Sequence, residues 1–489
     1  MIMLNKIIFI LALLLISFFS VHAQQKDEIQ KLLPEGGTAW DHFGWSVDIS
    51  EDYAIVGAPH DGYDGVNPAG SAYILYNNSG TWEQQDKVTP IINSNDEFGS
   101  SVSISGDHAI VGASYHHEDP SGAAYIYHRE SNEWKEQIRL VTGDGSNYDN
   151  FGCSVSISGD HAIVGADYYN LNSGAAYIYH NKSGIWEEQA KLTASSVNLS
   201  VDFGRSVDIS GDYAVVGVPS DYENGRKTGS AYVFYNNSGS WVQKARLIAS
   251  DGNTDDLFGN SVSIAGNNII VGIDPFYNDT LGAAYVFEKP DEGWRDTTET
   301  VKLTPNDDTT NCFGRSVSIS HDRAVVGATC DDYNGKNSGA AYLFLRNSGA
   351  WDVQAKLIAS DGAPNDLLGN SVSVSGDYII VGSRDNNTSI GEDSGLIYIF
   401  SSVSTQISEL AEQFDISLFP NPTIGLLNYE APANHIKQIK IIDLMGKVQI
   451  EKTNLQDRGN INLSQLNNGV YIVILKTQQG DYSTKIVKE

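Results

Sequence analysis

The stretch FGRSVDISGDYAVVGVPSDYENGRKTGSAYVFY, which runs from Phe203 to Tyr235, decides the fold of this chain. Related stretches begin at six further positions: Phe43, Phe98, Phe151, Phe258, Phe313 and Leu368. Successive starts are 52 to 55 residues apart. A repeat of this length that contains four short strands is typical of one blade of a β-propeller. The sequence therefore predicts an all-β fold with a seven-bladed β-propeller.

Each repeat contains the residue patterns of short strands joined by tight turns. In the first strand, Val207 and Ile209 alternate with polar residues, as in a half-buried strand. Gly-Asp pairs such as Gly211-Asp212 suit the two-residue turn that follows, because glycine readily adopts a positive φ. In the fifth repeat we expect Asn267-Asn268 to form this turn. Glu51-Asp52 and His321-Asp322 fit less well and predict a different turn.

Three further positions recur at fixed places in the repeats. A glycine in every second strand indicates close backbone approach, at Gly57, Gly112, Gly165, Gly217, Gly272, Gly327 and Gly382. A tyrosine in every third strand is predicted to pack between blades, at Tyr73, Tyr125, Tyr177, Tyr232, Tyr285, Tyr342 and Tyr398. A tryptophan is predicted to start the fourth strand at Trp82, Trp134, Trp186, Trp241, Trp294 and Trp351.

The seventh repeat stops after its third strand, at Phe400, and the missing strand is found at the other end of the propeller region. Lys31-Leu32 precede Phe43 by the same number of residues as Arg246-Leu247 precede Phe258. The segment from about residue 28 to residue 33 is therefore predicted to be the outer strand of the last blade. Such closure by an N-terminal strand removes exposed sheet edges.

The ends of the chain and its charge predict an exported protein of several parts. Residues 1–23 resemble a signal peptide, since Lys6 precedes an apolar run and small residues end the segment. The propeller is expected at 24–400 and a linker at 401–414. Residues 415–489 are expected to form a small β-sandwich domain. The net charge of –30 argues against nucleic acid as a partner, and no later segment is apolar enough to span a membrane.

Propeller geometry places the loops between second and third strands, and those that lead to the next blade, on one face. We call it the long-loop face, because these loops are long, acidic and aromatic, whereas the other turns are short. Binding residues concentrate on such loops. The candidate binding residues are Asp61, Tyr63, Asp64, His116, His117, Asp167, Tyr168, Tyr169, Asp221, Tyr222, Tyr277, Asp331, Asp332, Tyr333, Arg384 and Asp385.

Other polar residues have structural interpretations beside functional ones. A series of aspartates precedes the Phe-Gly pairs, at Asp41, Asp96, Asp149, Asp202, Asp256 and Asp366. We expect them to accept backbone N–H bonds, with a cation between blades as the alternative. Cys312 and Cys330 flank a hairpin nearly opposite each other, which predicts a disulfide and leaves Cys153 as a free, buried thiol.

The recurring phrases resemble the FG-GAP repeat, the unit of the seven-bladed propeller of integrin alpha subunits. The pattern is FGxSVxIxGDxAxVGAP followed by GxAYxF, and it covers residues 28–400. Integrin-type repeats often carry a DxDxDG calcium loop between the first two strands. Here a two-residue turn replaces that loop, so no cofactor is predicted, although calcium elsewhere stays open.

The tail resembles the C-terminal sorting domain of the type IX secretion system of Bacteroidota. The resemblance rests on the segments 419–422, 443–447 and 469–471, which occur in the family's order. It implies Sec export, passage across the outer membrane with the secretion machinery as partner, and either release or attachment at the cell surface.

Taken together, these features favour a surface or secreted adhesion propeller that binds a glycan or an extracellular protein through its long-loop face. No catalytic constellation is present in the sequence, so an enzyme is the less favoured class. One alternative is a polysaccharide-acting enzyme that uses residues breaking the repeat, such as His60, Arg384 and Arg226-Lys227. The other is a structural component of the surface or matrix.

Overall fold

A computed structural model describes most of the chain. The described residues are 24–62, 69–90, 96–114, 121–145, 149–169, 173–194, 201–274, 281–305, 312–347, 349–402, 417–419, 422–430, 436–443, 448–453, 456, 458–476 and 481–488. Their regular elements are β-strands. The chain divides after Ser402 into two compact units.

The first unit contains seven small sheets, one for each repeat, and a separate two-stranded hairpin of Tyr222–Glu223 and Arg226–Lys227 on the long loop of repeat 4. Sheet 1 contains Ser46–Ser50, Tyr53–Ala58, Ser71–Asn78 and Thr81–Val88. Sheet 2 contains Phe98–Ser105, His108–Ala113, Ala123–Glu130 and Glu133–Leu140. Sheet 3 contains Phe151–Ser158, His161–Ala166, Ala175–Lys182 and Ile185–Leu192. Sheet 4 contains Ser206–Ser210, Tyr213–Val218, Ser230–Asn237 and Ser240–Ile248.

The later sheets follow the same order. Sheet 5 contains Ser261–Ala265, Asn268–Gly272, Ala284–Glu288 and Val301–Leu303. Sheet 6 contains Phe313–Ser320, Arg323–Ala328, Ala340–Asn347 and Ala350–Leu357. Sheet 7 contains Val372–Ser375, Tyr378–Ser383 and Leu396–Ser401 from the seventh repeat. The first two strands named for each sheet pair antiparallel.

The N-terminal segment supplies the fourth strand of sheet 7, as the sequence predicts. Gln30–Leu32 pairs antiparallel with Leu396–Ser401, and Gln30 lies opposite Ile399. Just before it, Gln24–Lys26 adds a parallel fifth strand to sheet 6. In sheet 4 the fifth strand is Thr297–Thr298. Residues 24–32 therefore pair with the outer strand of sheet 6 and then with the third strand of sheet 7.

Hydrogen bonds from the first strand of each sheet to the preceding sheet join the sheets in series. In each, a backbone N–H donates to a side-chain oxygen at 2.7–3.3 Å. The donor–acceptor pairs are Ile104–Asp48, Ile157–Ser103, Ile209–Ser156, Ile264–Asp208, Ile319–Ser263, Val374–Ser318 and Ile49–Ser373. The last pair joins sheet 7 to sheet 1. A cavity of about 130 Å³ is lined by residues of all seven first strands.

The glycine of each second strand lies against the backbone of the next repeat. A Cβ atom on Gly112 would come within 2.1 Å of the Gly152 carbonyl oxygen and 2.2 Å of Ser101 Oγ. The same serine donates a hydrogen bond to that carbonyl at 2.8 Å. Corresponding serine–glycine bonds of 2.7–2.9 Å occur at all seven junctions, ending with Ser371 and Gly44. The close approach that the glycines indicate is thus an approach between neighbouring sheets.

The recurring tyrosines are buried, and the cores lie between sheets. Tyr73 is fully buried and meets Phe43 edge-on, with 5.2 Å between ring centroids. Its core also includes Ile380 and Ile397 of sheet 7. The interpretation of this tyrosine series as packing between repeats is confirmed for the cores described.

Three predictions about local structure are wrong. The fifth repeat turns at Gly266-Asn267, and Asn268 already belongs to the second strand, because Gly266 supplies the positive φ of 58°. Glu51 and His321 take the same turn conformation as the glycines elsewhere, each with φ of 53°. Trp294 precedes the fourth strand of sheet 5, since Thr297–Thr298 joins sheet 4 first.

The second unit contains two sheets. One contains Ser417–Phe419, Leu426–Glu430 and Arg458–Asn462. The other contains Val448–Thr453, Gln438–Asp443, Gly469–Lys476 and Asp481–Lys488 in that spatial order. Leu427 and Ile461 of the first sheet share a core with Ile439 and Val473 of the second. Alternating apolar residues therefore bury one face of each sheet.

Candidate functional site

Eleven of the candidate binding residues lie within the described ranges. Tyr63, Asp64, His116, His117 and Tyr277 lie outside the described residues. The remaining candidates follow the second strands of sheets 1, 3, 4, 6 and 7, where the long loops begin.

Asp61, Asp221 and Asp331 are buried and serve as internal partners within their own repeats. Tyr73 Oη donates to Asp61 at 2.5 Å, and Lys87 Nζ lies 2.7 Å from the same carboxylate. Tyr232 with Arg246, and Tyr342 with Lys356, surround Asp221 and Asp331 in the same way. A buried carboxylate needs such partners, because desolvation of an unpaired charge is costly. These three aspartates hold their loops to the sheets.

In sheets 3, 5 and 7 a different loop supplies the carboxylate for the same contact. Asp144, Asp251 and Asp361 lie on the segment that leads from the preceding sheet into the first strand of the sheet they contact. Asp251 accepts from Tyr285 Oη at 2.9 Å and from Lys302 Nζ at 2.5 Å. Asp361 likewise contacts Tyr398 and Lys31. Despite partial burial, these hydrogen bonds hold the pKa of Asp251 and of Asp361 below the ordinary aspartate value.

Three candidate tyrosines are exposed on the long loops. The exposed fractions are 47% for Tyr168, 46% for Tyr222 and 49% for Tyr333. Tyr169 is less exposed, with Lys191 Nζ 3.4 Å from its ring centroid. Asp332 Oδ1 accepts a hydrogen bond from the backbone of Asn337 at 2.8 Å. The three exposed tyrosine rings therefore offer accessible apolar surface, whereas several neighbouring carboxylates are engaged within the protein.

A polar cavity of about 610 Å³ opens beside Tyr168, where loops of repeats 3, 4 and 5 meet. Its lining consists of Asp167, Tyr168, Asp202, Arg205, Pro219, Ser220, Lys227, Asp255, Leu257, Asn260 and Asp274. Asp167 is buried and accepts from Asn150 Nδ2 at 3.0 Å and from Arg205 at 3.3 Å. Asp202 accepts from Ser220 Oγ at 2.5 Å. These bonds fix the cavity walls.

Two charged residues of the cavity lining are not held by ion pairs within the described part of the chain. Lys227 and Asp255 form no ion pair with any residue in the described part of the chain. The cavity therefore combines an exposed aromatic ring with a cationic donor and a carboxylate acceptor. Lys227 was not among the candidate binding residues predicted from the sequence. The Arg226-Lys227 pair interrupts the repeat pattern, and this interruption could have indicated it.

Arg384 and Asp385 lie where repeats 1 and 7 meet, beside His42, Trp45 and His60. We call these five residues the Arg384 cluster. The guanidinium carbon of Arg384 lies 4.3 Å from the Trp45 ring centroid. His42 Nδ1 lies 3.1 Å from Asp385 Oδ1, and the His42 and His60 rings are 4.9 Å apart. Burial, and then the nearby charges of His42 and Arg384, lower the pKa of His60.

His42 and Trp45 of this cluster were missed by sequence analysis. The third position of the Phe-Gly-x-Ser pattern holds Trp45 in the first repeat. The other repeats have Ser100, Cys153, Arg205, Asn260, Arg315 and Asn370 at this position. A single bulky aromatic residue among smaller or polar ones was therefore the signal.

The aspartates that precede the Phe-Gly pairs accept backbone hydrogen bonds at three of the repeats. Asp256 accepts from the N–H of Asn253 at 2.6 Å, and Asp366 from that of Ala363 at 2.7 Å. Asp41 accepts from Thr38 in the same way. Burial raises the pKa of Asp41 and of Asp366 to about 6. No group of three or more metal-ligating side chains was found among the described residues.

Cys312 and Cys330 form a disulfide in the structure, with 5.4 Å between their Cα atoms. The bridge fastens the entry of the first strand of sheet 6 to the long loop that follows the second strand. Cys153 is a free thiol, and burial raises its pKa.

Comparison with protein families accounts for most of the chain. The FG-GAP repeat matches seven times, at residues 27–76, 82–127, 134–179, 186–234, 241–287, 297–344 and 351–400. These segments cover more than half of the sequence, and the chain belongs to the FG-GAP repeat family. A secretion system C-terminal sorting domain matches residues 417–489. A search of curated proteins found no match.

The sorting domain indicates type IX secretion and hence interaction with that machinery. The protein is therefore secreted or attached to the cell surface. Within the described residues, no helix has the length and apolar character needed to cross a membrane.

Proposed function

We propose that the seven sheets form a closed seven-bladed propeller. After export, this propeller binds an extracellular glycan or protein ligand through its long-loop face and carries out no chemistry on it. Support for closure comes from the hydrogen bond between Ile49 of sheet 1 and Ser373 of sheet 7, which repeats the contact at the other six junctions. The N-terminal strand in sheet 7 supports it too.

The observation that carries the binding proposal is the 610 Å³ cavity beside Tyr168. Its volume is in the range typical of small-ligand sites, which are concave and have a few placed polar groups. An exposed tyrosine ring can stack on the apolar face of a sugar, while Lys227 and Asp255 can bond its hydroxyl groups. The tyrosine's two side-chain torsions limit the entropy that binding costs.

A glycan array probed with the full chain, with calcium and with chelator, tests this proposal. We expect binding that falls at least about tenfold in Tyr168→Ala, because an aromatic anchor contributes more than about 1.4 kcal/mol. Tyr76→Ala is the matched control, since Tyr76 is exposed at the opposite end of sheet 1. A silent array would contradict the glycan hypothesis, and release of new sugar ends would support the polysaccharide-acting alternative.

A further inference from the structure

In the Arg384 cluster, the guanidinium of Arg384 has only one carboxylate beside it, that of Asp385. Arg384 Nε lies 3.5 Å from Asp385 Oδ1, and that oxygen is also 3.1 Å from His42 Nδ1. The terminal guanidinium nitrogens of Arg384 donate no hydrogen bond to any residue that the structure describes. Stacking on Trp45 leaves the edge of the guanidinium free, and that edge carries its N–H donors.

The cluster is fixed in place before any ligand arrives. The backbone N–H of Arg384 donates to Asn370 Oδ1 at 3.2 Å. The carbonyl oxygen of Arg384 lies 3.3 Å from His42 Nδ1. Trp45 and the two histidines lie beside the guanidinium, and the Arg384 side chain is 22% exposed. A preorganised donor loses little entropy on binding.

A second arginine, Arg315, is near enough to Arg384 for their charges to interact, and it lies beside a residue of the cavity lining. Arg315 Nε is 3.8 Å from Asp274 Oδ2, and Asp274 lines the 610 Å³ cavity. Burial, and then the charge of Arg315, lower the pKa of Arg384 against the opposite effect of Asp385. Each arginine has a carboxylate beside it, Asp385 for Arg384 and Asp274 for Arg315, so the cluster would act on a ligand through its directed N–H donors and not through a net positive charge.

We propose that the Arg384 cluster binds a carboxylate of the ligand, so that the ligand of the long-loop face is an acidic polysaccharide containing uronic acid residues. This inference rests on the proposed function, because the cavity beside Tyr168 would hold neighbouring sugar units. A planar carboxylate matches the two parallel N–H donors of a guanidinium edge, and such paired bonds are strong and directional. Trp45 and His60 offer apolar ring surface for the sugar that carries the carboxylate.

The test compares polygalacturonate with the same polymer after full methyl esterification, which removes the charge and keeps the sugar. We expect the full chain to bind polygalacturonate at least about tenfold more tightly than the ester, as charge-assisted bonds of this kind contribute more than about 1.4 kcal/mol. Arg384→Gln should abolish that preference. Arg384→Lys keeps the charge and should recover only part of it, because lysine lacks the planar fork.

Lys336→Gln is the control, since Lys336 is exposed on a long loop of the same face and lies outside both the cluster and the cavity lining. Unchanged thermal unfolding of each variant shows that it is folded. Equal binding of both polymers, or an unchanged preference in Arg384→Gln, overturns the inference while the proposed function stands on the binding lost in Tyr168→Ala. Tighter binding of dextran sulfate than of polygalacturonate, lost in Arg384→Gln, also overturns it, in favour of sulfate esters. If the chain binds neither of the polymers nor any arrayed glycan, both the inference and the proposed glycan binding are overturned.

Discussion

The carboxylate of Asp208 accepts a hydrogen bond from the backbone N–H of Ile264 in the next sheet, at 2.7 Å. Five other repeats have a serine at this position, and Ser263 accepts from Ile319 at 3.2 Å. The neutral hydroxyl and the charged carboxylate thus make the same inter-sheet bond. Asp208 Oδ1 additionally accepts from Ser156 at 2.6 Å.

Replacing Asp208 by serine should change how stability depends on pH. Burial is the main cause that raises the pKa of Asp208 to about 6. A carboxyl whose pKa is raised on folding contributes most stability below pH of about 4, and this contribution is lost as pH rises through about 6. Relative to the parent, Asp208→Ser should therefore gain stability between pH of about 4.5 and about 7.5, by about 2 kcal/mol.

Chemical denaturation of both chains at the two pH values measures this difference. Using the difference cancels the parallel effects of Asp41 and Asp366, whose raised pKa values act in the same direction. A stability difference that is equal at both pH values would contradict the assignment.

Glu51→Gly and His321→Gly should each stabilise the protein by about 1 kcal/mol, since left-handed backbone costs a non-glycine residue roughly that amount. Both residues have φ of 53° in turns where other repeats have glycine. Thermal unfolding of the single variants and of the double variant would show additive gains. Gly211→Ala, at φ of 56°, is the reverse control and should lose a similar amount. A lower unfolding temperature for Glu51→Gly would mean that the Glu51 side chain stabilises the protein by more than its left-handed backbone destabilises it.

Gly112→Ala should destabilise the protein by about 3 kcal/mol or more, because overpacking against backbone cannot be relieved by side-chain rotation. The added methyl would lie 2.1 Å from the Gly152 carbonyl oxygen. Gly143→Ala is the matched control, since a methyl group added there would meet nothing within 4 Å. Denaturant midpoints compare the two, and a midpoint for Gly112→Ala near that of the control would show that the sheets can separate at little cost.

The repeated architecture could be predicted from the sequence, because the same residue pattern occurs seven times and differences at single positions do not obscure it. The N-terminal strand could be placed as well, since Lys31-Leu32 keep the offset of Arg246-Leu247. The Tyr–Asp–cation contacts could not, because the carboxylate comes from one loop in sheet 4, as Asp221, and from another in sheet 5, as Asp251. Contacts across the junction of repeats 1 and 7, such as Trp45 with Arg384, depend on residues more than 300 positions apart.

The N-terminal strand should be needed for the stability of sheet 7 and its neighbour. Gln30 exchanges two hydrogen bonds with the backbone of Trp82 in sheet 1, at 2.7 and 2.9 Å, while its own backbone pairs with Ile399. A chain that starts at Pro34 loses this strand and exposes a sheet edge. We expect a lower unfolding temperature, faster proteolysis and concentration-dependent association. A chain that starts at Asp27 lacks the strand Gln24–Lys26 but keeps Gln30–Leu32, and it serves as control. If both truncations unfold at the parent temperature, the strand covers sheet 7 without holding it to sheet 1.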